Sequence, residues 1–272
     1  TTVGGSVVLE SNGAITTAAA GTITTKGQAS AAGLGGVGGE VFIHHTNLTT
    51  TAGDITLGGT VTANGGSAAV GGTTGGSGGV VTLLNERGGI VVNAALSANG
   101  GAAGSGVQGN GGTVQLVSTG TAVASTITQG AAITATGATG GNLKVTASDD
   151  VTLQNTGNDV AKLAANITTA GKSFKYTDAN TLAIDQVAQA GSSAVVLGVP
   201  SGTAATQALM NGITTLGGSG GSVVVNTLST GTLDVNQAIS TVPTGTGTTV
   251  GGSVVLESNG AITTAAAGTI TT

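Results

Sequence analysis

Residues Thr1–Thr25 read TTVGGSVVLESNGAITTAAAGTITT, and the same stretch returns unchanged at Thr248–Thr272. Over this stretch residue i equals residue i + 247. Identity at outward as well as inward positions exceeds what folding demands and reads as a recent duplication. The expected organisation is one long repeat over 1–247, with 248–272 opening an identical next one. With no initiator Met and an end inside a repeat, the chain reads as a window of a longer polymer.

Inside the stretch, Gly4-Gly5 introduces Ser6–Ser11 (SVVLES), whose alternation predicts a half-buried strand. The signature recurs at Glu40–His45, Val80–Asn85, Thr113–Ser118, Asn142–Ala147, Ser173–Asp178, Ser222–Thr227 and Ser253–Ser258. Successive starts lie 34, 40, 33, 29, 31, 49 and 31 residues apart, so seven units fill one repeat. Laid over one another, these strands share columns. The second position reads Val7, Val41, Val81, Val114, Leu143, Phe174, Val223 and Val254, and the fourth reads Leu9, Ile43, Leu83, Leu116, Val145, Tyr176, Val225 and Leu256. Between them stand variable residues such as Val8, Phe42, Thr82, Gln115 and Lys144, which are expected to face solvent.

Each unit carries further short strands. Asn12-Gly13 turns the first into Ala14–Thr17, and Gly21 turns it into Thr22–Thr25. The second unit continues as Leu48–Thr50, Ile55–Leu57 and Val61–Ala63. Asn-Gly and Gly-Asp at these corners are expected to supply positive φ. Helical periodicity is confined to two weak stretches, Asp159–Ala165 and Ala204–Met210. Glycine- and alanine-rich segments at Gly27–Gly39, Asn64–Gly79, Asn99–Gly112 and Thr136–Gly141 precede the first strand of a unit. They are expected to leave one edge and to pack there as closely approaching backbone.

Composition narrows the class. Gly accounts for 52 of 272 residues, aromatics for 1% and charged residues for 6%, where Gly is ordinarily about 7%. Recurrent Val, Ile and Leu argue against disorder. Cysteine is absent, so backbone ladders and a continuous core must hold the chain together. The formal net charge of −5 is spread thinly and leaves no basic groove for nucleic acid. No apolar run reaches the ~18 residues of a membrane helix.

A unit of short strands cannot bury its inner face alone, but stacking in parallel does so. The predicted fold is all-β: a right-handed parallel β-helix of about seven coils per 247-residue repeat, with glycine-rich loops at one edge. The two copies of the opening stretch are expected to stack in one conformation, offset by on the order of 34 Å with a small twist.

The pattern GGSVVLESNGAITTAAAGTI, together with GNDVAKLAANITTAGKSFKYTDANTLAIDQV at Gly157–Val187, resembles the shafts of filamentous haemagglutinin-type exoproteins. These are large two-partner-secreted surface proteins of Gram-negative bacteria. The resemblance implies a non-enzymatic shaft in an extracellular or cell-surface fibre, supporting adhesion or cell–cell association. Its partners would be neighbouring copies of the repeat end to end, and identical rods packed laterally through the glycine-rich loops. A segment that itself binds a surface or glycan is the alternative; a β-helical polysaccharide-active enzyme or an ice-binding solenoid fits less well.

Candidate sites are sparse, and no catalytic, cofactor or metal residues are assigned. His44-His45 are the only histidines, with Glu10, Glu40 and Glu86 within reach of a stacked sheet, and a solvated pair is the default reading. Asp149-Asp150, Asp178 and Asp185 could form the acidic pair of a glycosidase, which needs two carboxyls ~5–9.5 Å apart in a sugar-stacking cleft. Phe42, Phe174 and Tyr176 are the only aromatics, and two of them read inward. The glycine stretches lack a Lys-Ser/Thr ending and open no helix, so they hold no phosphate loop. Thr22/Thr24, Thr60/Thr62 and Thr126/Thr128 are expected outward, in an interrupted ladder.

Overall fold

The computed structural model describes residues 2–46, 52–69, 73–120, 124–188, 190, 209–216, 221–243 and 250–272. Among them every regular element is a strand and none is a helix. In chain order the first five units contribute β1 (Ser6–Ser11), β2 (Ile15–Thr17) and β3 (Ile23–Thr24); β4 (Glu40–His45), β5 (Ile55–Leu57) and β6 (Val61–Thr62); β7 (Val80–Asn85), β8 (Ile90–Val92) and β9 (Leu96–Ser97); β10 (Thr113–Ser118), β11 (Ile127–Gln129) and β12 (Ile133–Thr134); β13 (Asn142–Ala147) and β14 (Val151–Leu153). There follow β15 (Lys162–Ile167), β16 (Phe174–Asp178), β17 (Leu182–Ile184), β18 (Gln186–Val187), β19 (Met210–Asn211) and β20 (Ile213–Thr215). The last are β21 (Val223–Thr227), β22 (Leu233–Val235), β23 (Ile239–Ser240), β24 (Val254–Ser258), β25 (Ile262–Thr264) and β26 (Ile270–Thr271).

Three long parallel sheets result. Sheet 1 has twelve strands, running β1-β4-β7-β10-β13-β15-β17-β22-β25, with β20, β23 and β26 branching from β15. Sheet 2 runs β2-β5-β8-β11-β14-β16-β21-β24, and sheet 3 runs β3-β6-β9-β12. Among the described residues only the small pair β18–β19 is antiparallel. One hydrophobic cluster draws from all three: Val41 and Ile43 of sheet 1, Ile55 and Leu57 of sheet 2, Val61 and Leu96 of sheet 3. Alternate residues of short β-branched strands thus share a single core, as their period of two requires.

The expected columns hold through five units. Val7 stands beside Val41, Val41 beside Val81, Val81 beside Val114 and Val114 beside Leu143. The sixth departs from expectation. Leu143 is flanked by Leu163 of β15, while Phe174 of β16 pairs with Val151 in sheet 2. The Asp159–Ala165 stretch is therefore strand rather than helix over most of its length. Leu163, Ala165 and Ile167 enter the core in strand alternation. Val160, a core residue ahead of the strand, and Ala164 on the strand's other face gave the segment its helical look.

Consequently the two copies of the opening stretch form the same three strands but in different sheets. Ser6–Ser11 lies in sheet 1, and its copy Val254–Ser258 lies in sheet 2. The expected stacking with a small twist is not found: β1, β2 and β3 lie in sheets 1, 2 and 3, whereas β24 lies in sheet 2 and both β25 and β26 lie in sheet 1. The four glycine-rich segments, before β4, β7, β10 and β13, all leave between sheets 3 and 1. They share one edge, as expected; only the later long strands β16, β21 and β24 change sheet. The cause is the unit from Asn142 to Ala161, which omits a glycine-rich segment, so β15 follows directly in sheet 1 and the next long strand falls on sheet 2.

Two further expectations change. Phe42 is 1% exposed, not solvent-facing, and packs with Leu84, Val117 and Val8 in a second cluster on the outer side of sheet 1. Positive φ, among the described residues, is confined to Gly140, Gly171 and Gly212, so Gly13 and Gly53 turn their corners without it. The predicted strand Leu48–Thr50 lies outside the described residues, as do residues 204–208 of the predicted Ala204–Met210 helix; Met210 itself opens β19.

Candidate functional site

The glycine-rich segments are the most distinctive chemical feature. In the first of them two arms lie against each other: Gly39 N–H donates to Thr25 O (2.6 Å) and Gly36 N–H to Gln28 O (2.8 Å). The second and third segments repeat this through Gly79 to Ala63 and Gly76 to Gly66, then Gly112 to Ala98 and Gly109 to Gly101. Each arm advances three residues per bond, the period of polyproline II. Between segments, Gly66 donates to Gly36 O and Gly101 to Gly76 O, both at 2.7 Å. A continuous zigzag of backbone bonds thus joins Gln28, Gly36, Gly66, Gly76, Gly101 and Gly109. A Cβ at Gly66 would sit 2.0 Å from Gln28 O, and one at Gly76 1.8 Å from Gly36 O. Glycine is required here for close approach of backbone. The expectation that these segments pack as closely approaching backbone holds for the described residues. Asn64 and Asn99 fix the register at the base: the Asn64 side-chain oxygen accepts from Asn99 N–H (2.7 Å) and that of Asn99 from Thr136 N–H (2.8 Å).

The histidines are not a solvated pair. His44 is 2% exposed, with Nδ1 3.1 Å from Glu10 Oε2 and Nε2 3.6 Å from Glu86 Oε2. Its ring lies 5.6 Å from that of Phe42. The two carboxylates address opposite nitrogens, so one ion cannot collect all three groups. Among the described residues no three His, Asp or Glu side chains are placed to hold a metal ion. His45 points inward, and its Nδ1 donates to Gly53 O at 2.8 Å, a bond at the corner. Asn85, the next residue in that column, donates to the same carbonyl.

The acidic residues are individually committed. Burial alone would raise the Asp149 carboxyl, but the Lys172 ammonium 2.6 Å away holds it below the usual range. Lys172 also reaches Asp150 at 3.9 Å. Asp185 is likewise pushed up by burial and held down overall by Lys162 at 2.8 Å. Asp178 is fully buried and accepts from Tyr176 Oη (2.8 Å), Val160 N–H (3.1 Å) and Asn180 N–H (2.9 Å). Desolvation raises it to about 6 despite these donors. Tyr176, also buried, is pushed up by its own desolvation and by the Asp178 charge. A carboxyl sealed under the core cluster cannot reach a polysaccharide, so Asp178 is a corner device.

The burial of three polar side chains escaped sequence reasoning. Lys144 stands in an outward column yet is 1% exposed, and desolvation lowers its pKa to about 8. Its neighbour Gln115 is fully buried and donates to Thr82 Oγ1 and to Ala190 O. Contacts of β18 and β19 with β15 and β13 show part of what covers this outer side. Asn158 is fully buried and accepts from Ile133 N–H, while its amide donates to the Leu153 and Thr177 carbonyls. Thr24 and Thr62 stack with Ser97 and Thr134 on sheet 3, but Thr128 lies on sheet 2 and does not join them.

No family model matches this chain, and neither a curated protein nor a solved structure matches it.

Proposed function

We infer that the chain is a structural shaft: a right-handed parallel β-helix in a bacterial surface or extracellular fibre of the filamentous haemagglutinin type, giving length and mechanical strength. The observation that carries this reading is the single core shared by three long parallel sheets. Strands that wind repeatedly through three sheets around one core form a tube whose backbone bonds lie along its axis. Many such bonds must then break together before the shaft fails. The glycine array adds a second stack of axial bonds beside the tube and presents little charge. His44, His45, Asp149, Asp150, Asp178 and Asp185 are engaged in ion pairs and corner bonds, an arrangement suited to holding a rod together.

The experiment is single-molecule stretching of the chain between terminal handles. A shaft should unfold at high force in steps that release whole groups of strands. Gradual extension at low force would contradict it. A parallel glycan-array measurement tests the adhesin alternative, for which saturable binding by the isolated chain would be the positive result.

A further inference from the structure

We propose that the opening stretch is a coupling coil: besides its seat on β4, β5 and β6, it carries a second edge that fits the β21, β22 and β23 end of another copy of the chain. The shaft axis along which copies would join rests on the β-helix reading above; the strand pairing does not. The same residues stand twice in the structure, against different neighbours. As β1, β2 and β3 they pair with β4, β5 and β6. As β24, β25 and β26 they pair with β21, β22 and β23. The short strands fall at equivalent residues in the two copies: Ile15–Thr17 matches Ile262–Thr264, and Ile23–Thr24 matches Ile270–Thr271.

The two seats use different backbone groups. Towards the following unit, Gly5, Ser11 and Thr17 O accept from Glu40, Thr46 and Gly58 N–H, while Ile15, Ile23 and Thr25 N–H donate to Asp54, Thr60 and Thr62 O. Towards the preceding unit, Ser253, Ala261, Thr269 and Thr271 O accept from Val223, Leu233, Ile239 and Thr241 N–H. On that side Asn259 and Ala265 N–H donate to Thr227 and Val235 O. Through the 247-residue offset this second set corresponds to Ser6, Asn12, Ala14, Ala18, Thr22 and Thr24. The first set is odd-numbered throughout and the second even-numbered, because successive residues of a strand turn their backbone groups to opposite neighbours. No group is claimed twice. The Asn12 side chain divides in the same way: its oxygen accepts from Thr46 Oγ1, and in the second copy the Asn259 amide donates to Leu228 O at 2.5 Å. One copy of the stretch can therefore hold both neighbours at once. The partner is a second copy of the chain, because the strands already seated on β21, β22 and β23 are residue for residue those that a second copy presents.

In the intact chain its own β24, β25 and β26 hold that seat, so the test unseats them. Val255 and Thr263 are the copies of Val8 and Thr16, both even-numbered, and proline at either removes an N–H that faces β21 or β22. Val255→Pro, and separately Thr263→Pro, should open the seat to β1, β2 and β3 of a second molecule. Thr16→Cys with Asp234→Cys reports the exchange, because Thr263 is the register partner of Asp234 and the chain has no other cysteine. Within one molecule β2 and β21 stand six pairing steps apart in sheet 2, with β22 directly after β21. That is roughly 29 Å, too far for a short bismaleimide. Each proline variant should give a ladder of cross-linked oligomers, and adding Val8→Pro, which blocks the same edge of the first copy, should abolish it. Monomers alone from both proline variants, or a ladder that survives Val8→Pro, would overturn the proposal. Stretching of the unsubstituted chain reads the shaft separately: high unfolding force with monomeric proline variants would keep the shaft and remove the coupling coil.

Discussion

Gly76 N–H donates to Gly66 O at 2.9 Å, joining two arms of one glycine-rich segment, while a Cβ at either residue would strike a carbonyl of the segment before. Gly76→Ala and Gly66→Ala should each destabilise the fold by about 1–3 kcal/mol, the cost of overpacking. Gly5 and Gly13 have open space around the Cβ position, and Gly13→Ala should leave the melting temperature unchanged or raise it slightly. Thermal unfolding of these variants checks both. A neutral Gly76→Ala would mean that the arms are not packed as described.

The outer side of sheet 1 behaves as a second layer. Val41→Asp and Leu83→Asp should cost several kcal/mol, because an unpaired carboxylate enters the apolar core. Phe42→Ala should cost about 3 kcal/mol, although Phe42 lies on the opposite face from Val41. Thr128 is exposed, and Thr128→Ala should stay within about 0.5 kcal/mol. Chemical denaturation distinguishes the three.

Burial of Asp178 predicts a pH dependence of definite sign. Its folded pKa, about 6, lies above the ordinary 3.8, so the folded state favours the protonated form. The stabilisation is fully present below pH ~4 and is lost as pH rises through ~6, amounting to roughly 3 kcal/mol. Lys144 titrates in a separate window, since its folded pKa is lowered to about 8. Unfolding free energies measured from pH 4 to 7 should fall, and Asp178→Asn should flatten that slope even if it also loses a hydrogen bond. An unchanged slope in the variant would refute the assignment.

Asn158 closes the unit that lacks a glycine array. Asn158→Asp keeps the acceptor for Ile133 N–H but turns a second oxygen towards the Leu153 and Thr177 carbonyls. A loss of at least ~2 kcal/mol is expected. Amide exchange should accelerate first around β14 and β16, where those carbonyls lie.

The long strands β1, β4, β7, β10 and β13 were legible to the residue, because Gly-Gly before an alternating run marks a strand with unusual clarity. Glycine density also foretold close backbone packing at Gly36, Gly66 and Gly76. The phase change at β15 was hidden: in KLAANI small alanines occupy both faces, so alternation is weak where helical spacing is strong. Phe42 and Lys144 misled for a different reason. Alternation tells which face of a strand a residue takes, but not whether a second layer covers that face. The same blindness concealed the burial of His44, whose partners Glu10 and Glu86 are distant in sequence and meet only through register.

The most direct measurement is cryo-electron microscopy of a chain carrying several 247-residue periods. A closed parallel β-helix predicts an unbroken rod whose strands lie across the axis, rising on the order of 34 Å per period at ~4.8 Å per strand level. Separate compact beads, or a rise far from that value, would contradict the shaft.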